Sequence, residues 1–282
     1  STDDAVQATN TDNLTLSNSV IWNDSTSGSS SVVLDYNQSG AFQLNMTGNA
    51  ITSQNKDAVT ILGNAGSEGA TMAMTIQNNL FQTDRNGDSG IDYTWRGGTT
   101  GTIGSNTFQG DDGSNSGLFV NSLSTTQNLN LNINQNKFTF AGGNDTAIDI
   151  NSAGTSQLTF TQNQIDLLGA GSKGMAFDLT TTNATFTGNV INGYHDLSHG
   201  ILFNTISAPS SVAMNGNTMN FASINSTIHE GLTFTTVNGV TSTDKIILSG
   251  SQNNVFTGAS NNFVYPAGSI LGQVKLNGVF GP

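Results

Sequence analysis

Cysteine is absent from the 282-residue chain, which removes disulfides and thiolate metal ligands. Charged residues are scarce, at 9% against about 25% in ordinary globular domains. Charge-dense disorder is excluded with them, because apolar residues recur regularly along the chain. Basic residues are scarcest: Lys56, Arg85, Arg96, Lys137, Lys173, Lys245 and Lys275 stand apart in a chain of net charge −12. Phosphate backbones are held by clustered Lys and Arg, so nucleic-acid binding is excluded, and an anionic membrane surface is disfavoured for the same reason. No apolar run approaches the length of a membrane-spanning helix, and no direct membrane insertion is expected. No signal peptide opens the chain, so an exported protein would be present here as a mature fragment.

Glycine (33 residues), Asn, Thr and Ser fill the space that charge and proline leave. They are arranged in a repeat. An apolar residue, two others, an asparagine, one more and a second apolar residue recur at Met46/Asn49/Ile51, Ile76/Asn79/Phe81, Ile103/Asn106/Phe108, Ile133/Asn136/Phe138, Phe160/Asn163/Ile165, Phe186/Asn189/Ile191 and Met214/Asn217/Met219. "LTLSNSVI" is an earlier copy with Ser19 in the asparagine place, and "SQNNVF" a late one through Asn254. The steps between asparagines are 26 to 30 residues, except the last, which is 37.

A second row repeats in phase: a small residue followed by alternating apolar positions, as in "DAVTI", "SGIDY", "SGLFV", "TAIDI", "KGMAF", "HGILF" and "EGLTF". Alternation with period two, in β-branched and aromatic residues, predicts strands, and helical spacing is absent throughout. A period of about 29 residues is short for a four-stranded propeller blade of about 40–45. It fits one coil of three short strands and three turns. The predicted fold is therefore all-β: a right-handed parallel β-helix of about nine coils, roughly 43 Å long at 4.8 Å per coil. In such a stack the asparagines superpose, tolerate left-handed turn geometry, and pass hydrogen bonds from one carboxamide to the next inside a dry interior. The predicted solenoid covers residues 1–256, with 257–282 as a cap or the start of a following segment.

The "TFTxNxI … GIxF" pattern resembles right-handed parallel β-helices of the pectate-lyase-like type. With this composition it is most similar to the passenger domain of a Gram-negative autotransporter or inverse-autotransporter adhesin. That resemblance implies an exported or surface-exposed bacterial protein. Its partners would be host matrix protein, glycan or another copy of itself. A catalytic role is not expected from it, although polysaccharide lyases and glycoside hydrolases share the fold and form the competing class.

Chemistry was sought on that frame. "NTD" (Asn10–Asp12), "GDD" (Gly110–Asp112) and "SHG" (Ser198–Gly200) resemble the pieces of a pectin-hydrolase site. They lie about three coils apart, on the order of 14 Å, whereas paired hydrolytic carboxylates stand about 6.5–9.5 Å apart. No catalytic residues are assigned. Asp84, Asn86 and Asp88 alternate as oxygen ligands would, making a surface Ca2+ the one cofactor considered; the glycine falls too early for an EF-hand and no bidentate Glu follows. Candidate binding residues are Trp95 and Arg96 as an aromatic and cationic platform, Asp111 and Asp112, and Tyr194, His195 and Asp196 in "NGYHDLSHG". Asp57, Asp84, Asp88, Asp111, Asp112, Asp145, Asp196 and Glu230 are expected to align as one acidic ridge. Thr-x-Thr triplets fall in different phases on coils of unequal length, which argues against an ice-binding array.

Overall fold

The computed structural model describes residues 4–24, 28–84, 87–195, 199–222 and 229–281. The chain winds as a parallel β-helix of about nine coils with three strands in each. Sheet A holds ten strands, from Val6–Thr9 to Asn261–Val264. Sheet B runs from Asn13–Ser17 to Ile270–Leu276, and sheet C begins at Val20–Asn23. Each strand pairs in parallel with its equivalent one coil away, as the period-two rows require. Ile246–Thr257 turns the corner without a break and serves both B and C. Sheets A and B each gain a strand after residue 256, and Val279–Gly281 then folds back antiparallel on Ile270–Leu276.

The apolar rows superpose and form one core. Met46, Ile76, Ile103, Ile133, Phe160, Phe186 and Met214 are matched in register through sheet B. Ile51, Phe81, Phe108, Phe138, Ile165, Ile191 and Met219 do the same in sheet C. Stacking at the coil spacing suits aromatic rings: Phe108 and Phe138 lie 4.6 Å apart at 4°, and Phe160 and Phe186 4.7 Å apart at 6°.

The asparagine row forms the corner between sheets B and C. Asn49, Asn79, Asn106, Asn136, Asn163, Asn189, Asn217 and Asn254 are all buried. Each Nδ2 from Asn49 to Asn217 donates to the Oδ1 of the next, at 2.9–3.0 Å. Each also donates to a carbonyl one coil back, as Asn106 does to Ile76 at 2.8 Å. The Oδ1 accepts a second bond, from the backbone N–H of the preceding ladder residue. Only a short primary amide satisfies all these groups at one position. One expectation is corrected: the ladder residue is not the left-handed one. That geometry belongs to its predecessor, Asn18, Gly48, Asn78, Ser105, Gln135, Gln162, Gly188 or Gly216, at φ 49° to 69°. The kink one residue earlier turns the corner and leaves the asparagine aimed inward.

The small second residue of most sheet A strands has a steric cause. A Cβ on Gly117 would stand 2.5 Å from the Phe138 ring and 2.6 Å from the Ala147 carbonyl oxygen. The 37-residue last step is absorbed mainly at an exposed turn, 239–245, between sheets A and B, across which the offset between coils grows from 31 to 36 residues.

Candidate functional site

The candidate residues do not converge. Trp95 is fully buried, stacked at 5.6 Å on Tyr36, 6.2 Å from Tyr93 and 6.3 Å from Phe42. The binding platform expected at Trp95 is therefore corrected to core. The strand runs Ser89–Trp95, two residues past "SGIDY", and period two carries Trp95 inward with Ile91 and Tyr93. Arg96 is exposed and borders a hollow of about 240 Å3 with Glu68, Leu123 and Ser124 at the corner between sheets A and B. Asp111, Asp112, Tyr194 and His195 are exposed at the other long corner, between C and A, three coils apart. Asp196 and Asn86 lie outside the described residues.

The acidic ridge is corrected as well, because the turn carboxylates split between surface and interior. Asp84 is half-buried, and burial, with Asp111 and Asp112 beside it, holds its pKa above the ordinary value. Asp57, Asp88 and Asp145 instead fold under the turn, where the backbone needs acceptors. Asp57 Oδ1 accepts from Ser89 N–H at 2.7 Å, Asn115 Oδ1 from Asp88 N–H at 3.3 Å, Asp145 Oδ1 from Asn115 N–H at 2.9 Å, and Ser172 Oγ from Asp145 N–H at 3.2 Å. This is a second, mixed ladder. Its cost falls on Asp145, which is fully buried with Oδ2 unpaired and whose pKa burial pushes up to about 6. Asp88 is thus buried beneath the turn with its backbone N–H given to Asn115, whereas Asp84 is only half-buried. Among the described residues no group of three His, Cys, Asp or Glu side chains could hold a metal ion.

Two faces remain distinctive. The outer face of sheet A gathers the charge. Lys173, His199 and Glu230 are matched in register on three consecutive coils, with His199 Nδ1 3.3 Å from Glu230 Oε2. Desolvation lowers the His199 pKa, although Glu230 pulls it the other way. Asp149 and Asp178 lie on consecutive coils beside them; burial raises the Asp149 pKa, while Lys173 opposes that rise and Asp178 adds to it. Nearer the N-terminus, burial first and Asp57 second push Asp92 up to about 6. Sequence reading missed this cluster because it sought familiar tripeptides. The signal was the outward position in "TAIDI", "KGMAFDL", "HGILF" and "EGLTF".

Sheet B is its opposite. Its nine strands from Asn13–Ser17 to Ile246–Thr257 contain no Asp, Glu, Lys, Arg or His. Their outward positions are almost all Asn, Gln, Thr, Ser and Ala. A trough of about 620 Å3 is sunk into this face across five consecutive strands, from Gln43 and Asn45 to Gln157 and Thr159. It forms over Gly101, which pairs with Met74 and Leu131 in an inward-facing row. A Cβ on Gly101 would lie 2.2 Å from Met74 Cγ, so Met74 fills the missing side chain's place and joins Leu131 in the trough floor.

The chain matches no known protein family, no curated protein and no solved structure.

Proposed function

We propose that the protein is an adhesive segment of a bacterial surface protein, a rigid rod that binds host glycan, matrix protein or another rod along the outer face of sheet B. The observation that carries this reading is the absence of every charged side chain from nine consecutive strands of that sheet in a molecule of net charge −12. Rows of amides and hydroxyls donate and accept hydrogen bonds without the desolvation cost of ions. Each such bond contributes on the order of 1 kcal/mol net, and a rigid face that repeats them accumulates affinity by multivalency. The test is binding of the purified chain to arrays of glycans and matrix proteins, with an aggregation assay on cells that display it. Saturable binding or clumping is expected. Release of reducing or unsaturated sugar from a polymer would overturn the adhesive reading.

The sheet A cluster favours one second reading, polysaccharide cleavage, because Asp149, Asp178 and Glu230 supply carboxylates beside a lysine and a histidine on neighbouring coils. That reading predicts sugar release that Asp149→Asn abolishes.

A further inference from the structure

We infer that the trough over Gly101 is the binding site for an unbranched, uncharged polysaccharide lying along the solenoid axis. The inference rests on the adhesive reading above and narrows it to one site and one ligand class. Three properties of the trough select the ligand.

The first is shape. The trough crosses five strands, about 19 Å at the coil spacing. It is a long depression on a sheet face, so it accepts a slender chain. Two copies facing each other here would leave both depressions unfilled. A peptide adding as a strand needs an open sheet edge, and every strand under the trough already pairs on both sides.

The second is the chemistry of the walls. Asn45, Thr75, Thr100, Asn132 and Gln157 present carboxamides and hydroxyls at successive coil heights. Amides and hydroxyls, like the hydroxyls of a sugar, both give and accept hydrogen bonds. The floor is apolar where Ala73, Met74 and Leu131 reach it. A sugar ring has that same division, with hydroxyls at its edge and C–H groups on its faces.

The third is charge. No basic side chain lines the trough, so sulfate, phosphate and uronate groups would lose water without gaining a counter-charge. The molecule's net charge of −12 repels polyanions further. The ligand is neutral for want of any group to pair with a charge.

Electrophoresis of the full chain through gels containing one dissolved polymer tests the inference. The neutral probes are mixed-linkage β-glucan, pullulan and glucomannan; the acidic ones are polygalacturonate and hyaluronan. The exposed trough residues Thr100 and Asn132 are changed separately to arginine, and exposed Ser249, on the same face beyond the trough, serves as control. At least one neutral polymer should retard the wild-type chain. Thr100→Arg and Asn132→Arg should each weaken retardation about tenfold or more with unchanged melting temperature, and Ser249→Arg should not. Neutral-polymer binding that survives both trough variants would overturn the trough while leaving adhesion through the rest of the face. Retardation by acidic polymers alone would also overturn it, as would wild-type self-association that Thr100→Arg abolishes. Failure to bind any polymer, matrix protein or cell would remove the adhesive reading itself.

Discussion

Asn106 gives two hydrogen bonds to a single oxygen of Asn136, one from its backbone N–H and one from its side-chain Nδ2, each 3.0 Å long. Asn136 repeats the arrangement toward Asn163 and donates back to the Ile103 carbonyl at 2.8 Å. Asn136→Ala would strand two donors of Asn106 and one backbone acceptor in a dry interior. Unpaired buried groups cost about 1–3 kcal/mol each, with partial relief from relaxation, so a net loss of about 2–4 kcal/mol is expected. Asn136→Asp should be worse near neutral pH, because a carboxylate cannot donate and would face the Asn163 oxygen. Urea midpoints for the two variants and wild type check this. Midpoints within error of wild type would mean the ladder contributes nothing to stability.

The mixed ladder makes a prediction of opposite sign. Asp145 is fully buried, and its pKa stands at about 6 against an ordinary 3.8. A carboxyl whose folded pKa is raised binds its proton more tightly in the folded state. Its contribution is therefore most favourable below pH 3.8, and stability is lost as pH climbs through the interval to about 6. The difference of about 2 pH units corresponds to at most ~3 kcal/mol. Asp145→Asn retains the oxygen that accepts the Asn115 N–H and cannot ionise. It should stabilise the protein by up to about 3 kcal/mol at pH 8 and by little at pH 4. Denaturant unfolding at the two pH values gives the comparison, and a variant weaker than wild type at pH 8 would refute the argument.

Which parts of this were legible in the sequence depended on whether the information was periodic. The asparagine row, the apolar rows and the small residue near the start of most sheet A strands follow from spacing alone, because stacking turns sequence phase directly into spatial alignment. Trp95 was misplaced although its phase was available: Ile91, Tyr93 and Trp95 alternate, and only the assumed end of the strand made the last of them a loop residue. The inward carboxylates of Asp57 and Asp145 were not legible, since composition does not show whether a turn aspartate points to water or caps a backbone N–H. The trough was hidden for a different reason. Its floor comes from three coils, with Gly101 missing a side chain exactly one coil from Met74 and one from Leu131, and no single stretch contains that relation.

The small residues of sheet A should be intolerant for reasons of space, not backbone conformation. Gly117 does not have a positive φ, yet its Cβ would press on Phe138 and on the Ala147 carbonyl at 2.5 and 2.6 Å. Gly117→Ala should cost about 1–3 kcal/mol through displaced core packing. Gly87, at φ +84° with open space around it, should lose less when changed to alanine. Thermal melts of the two variants separate the effects, and equal losses would show that packing at the Gly117 row is loose.

The chain's two tryptophans should report opposite environments. Trp95 is fully buried among Tyr36, Phe42 and Tyr93, whereas Trp22 is 66% exposed on the outer face of sheet C in the first coil. Trp95→Ala should cost about 3–5 kcal/mol, the range for deleting a large aromatic side chain from a core. Trp22→Ala should change stability by less than about 0.5 kcal/mol, as is usual for surface positions. Fluorescence separates them without relying on stability. With Trp22→Phe, the remaining emission should be blue-shifted and shielded from acrylamide; with Trp95→Phe it should be red-shifted and readily quenched. If acrylamide quenched Trp95 as readily as Trp22, that ring would be at the surface after all, and the platform first expected of it would return as a candidate for ligand contact.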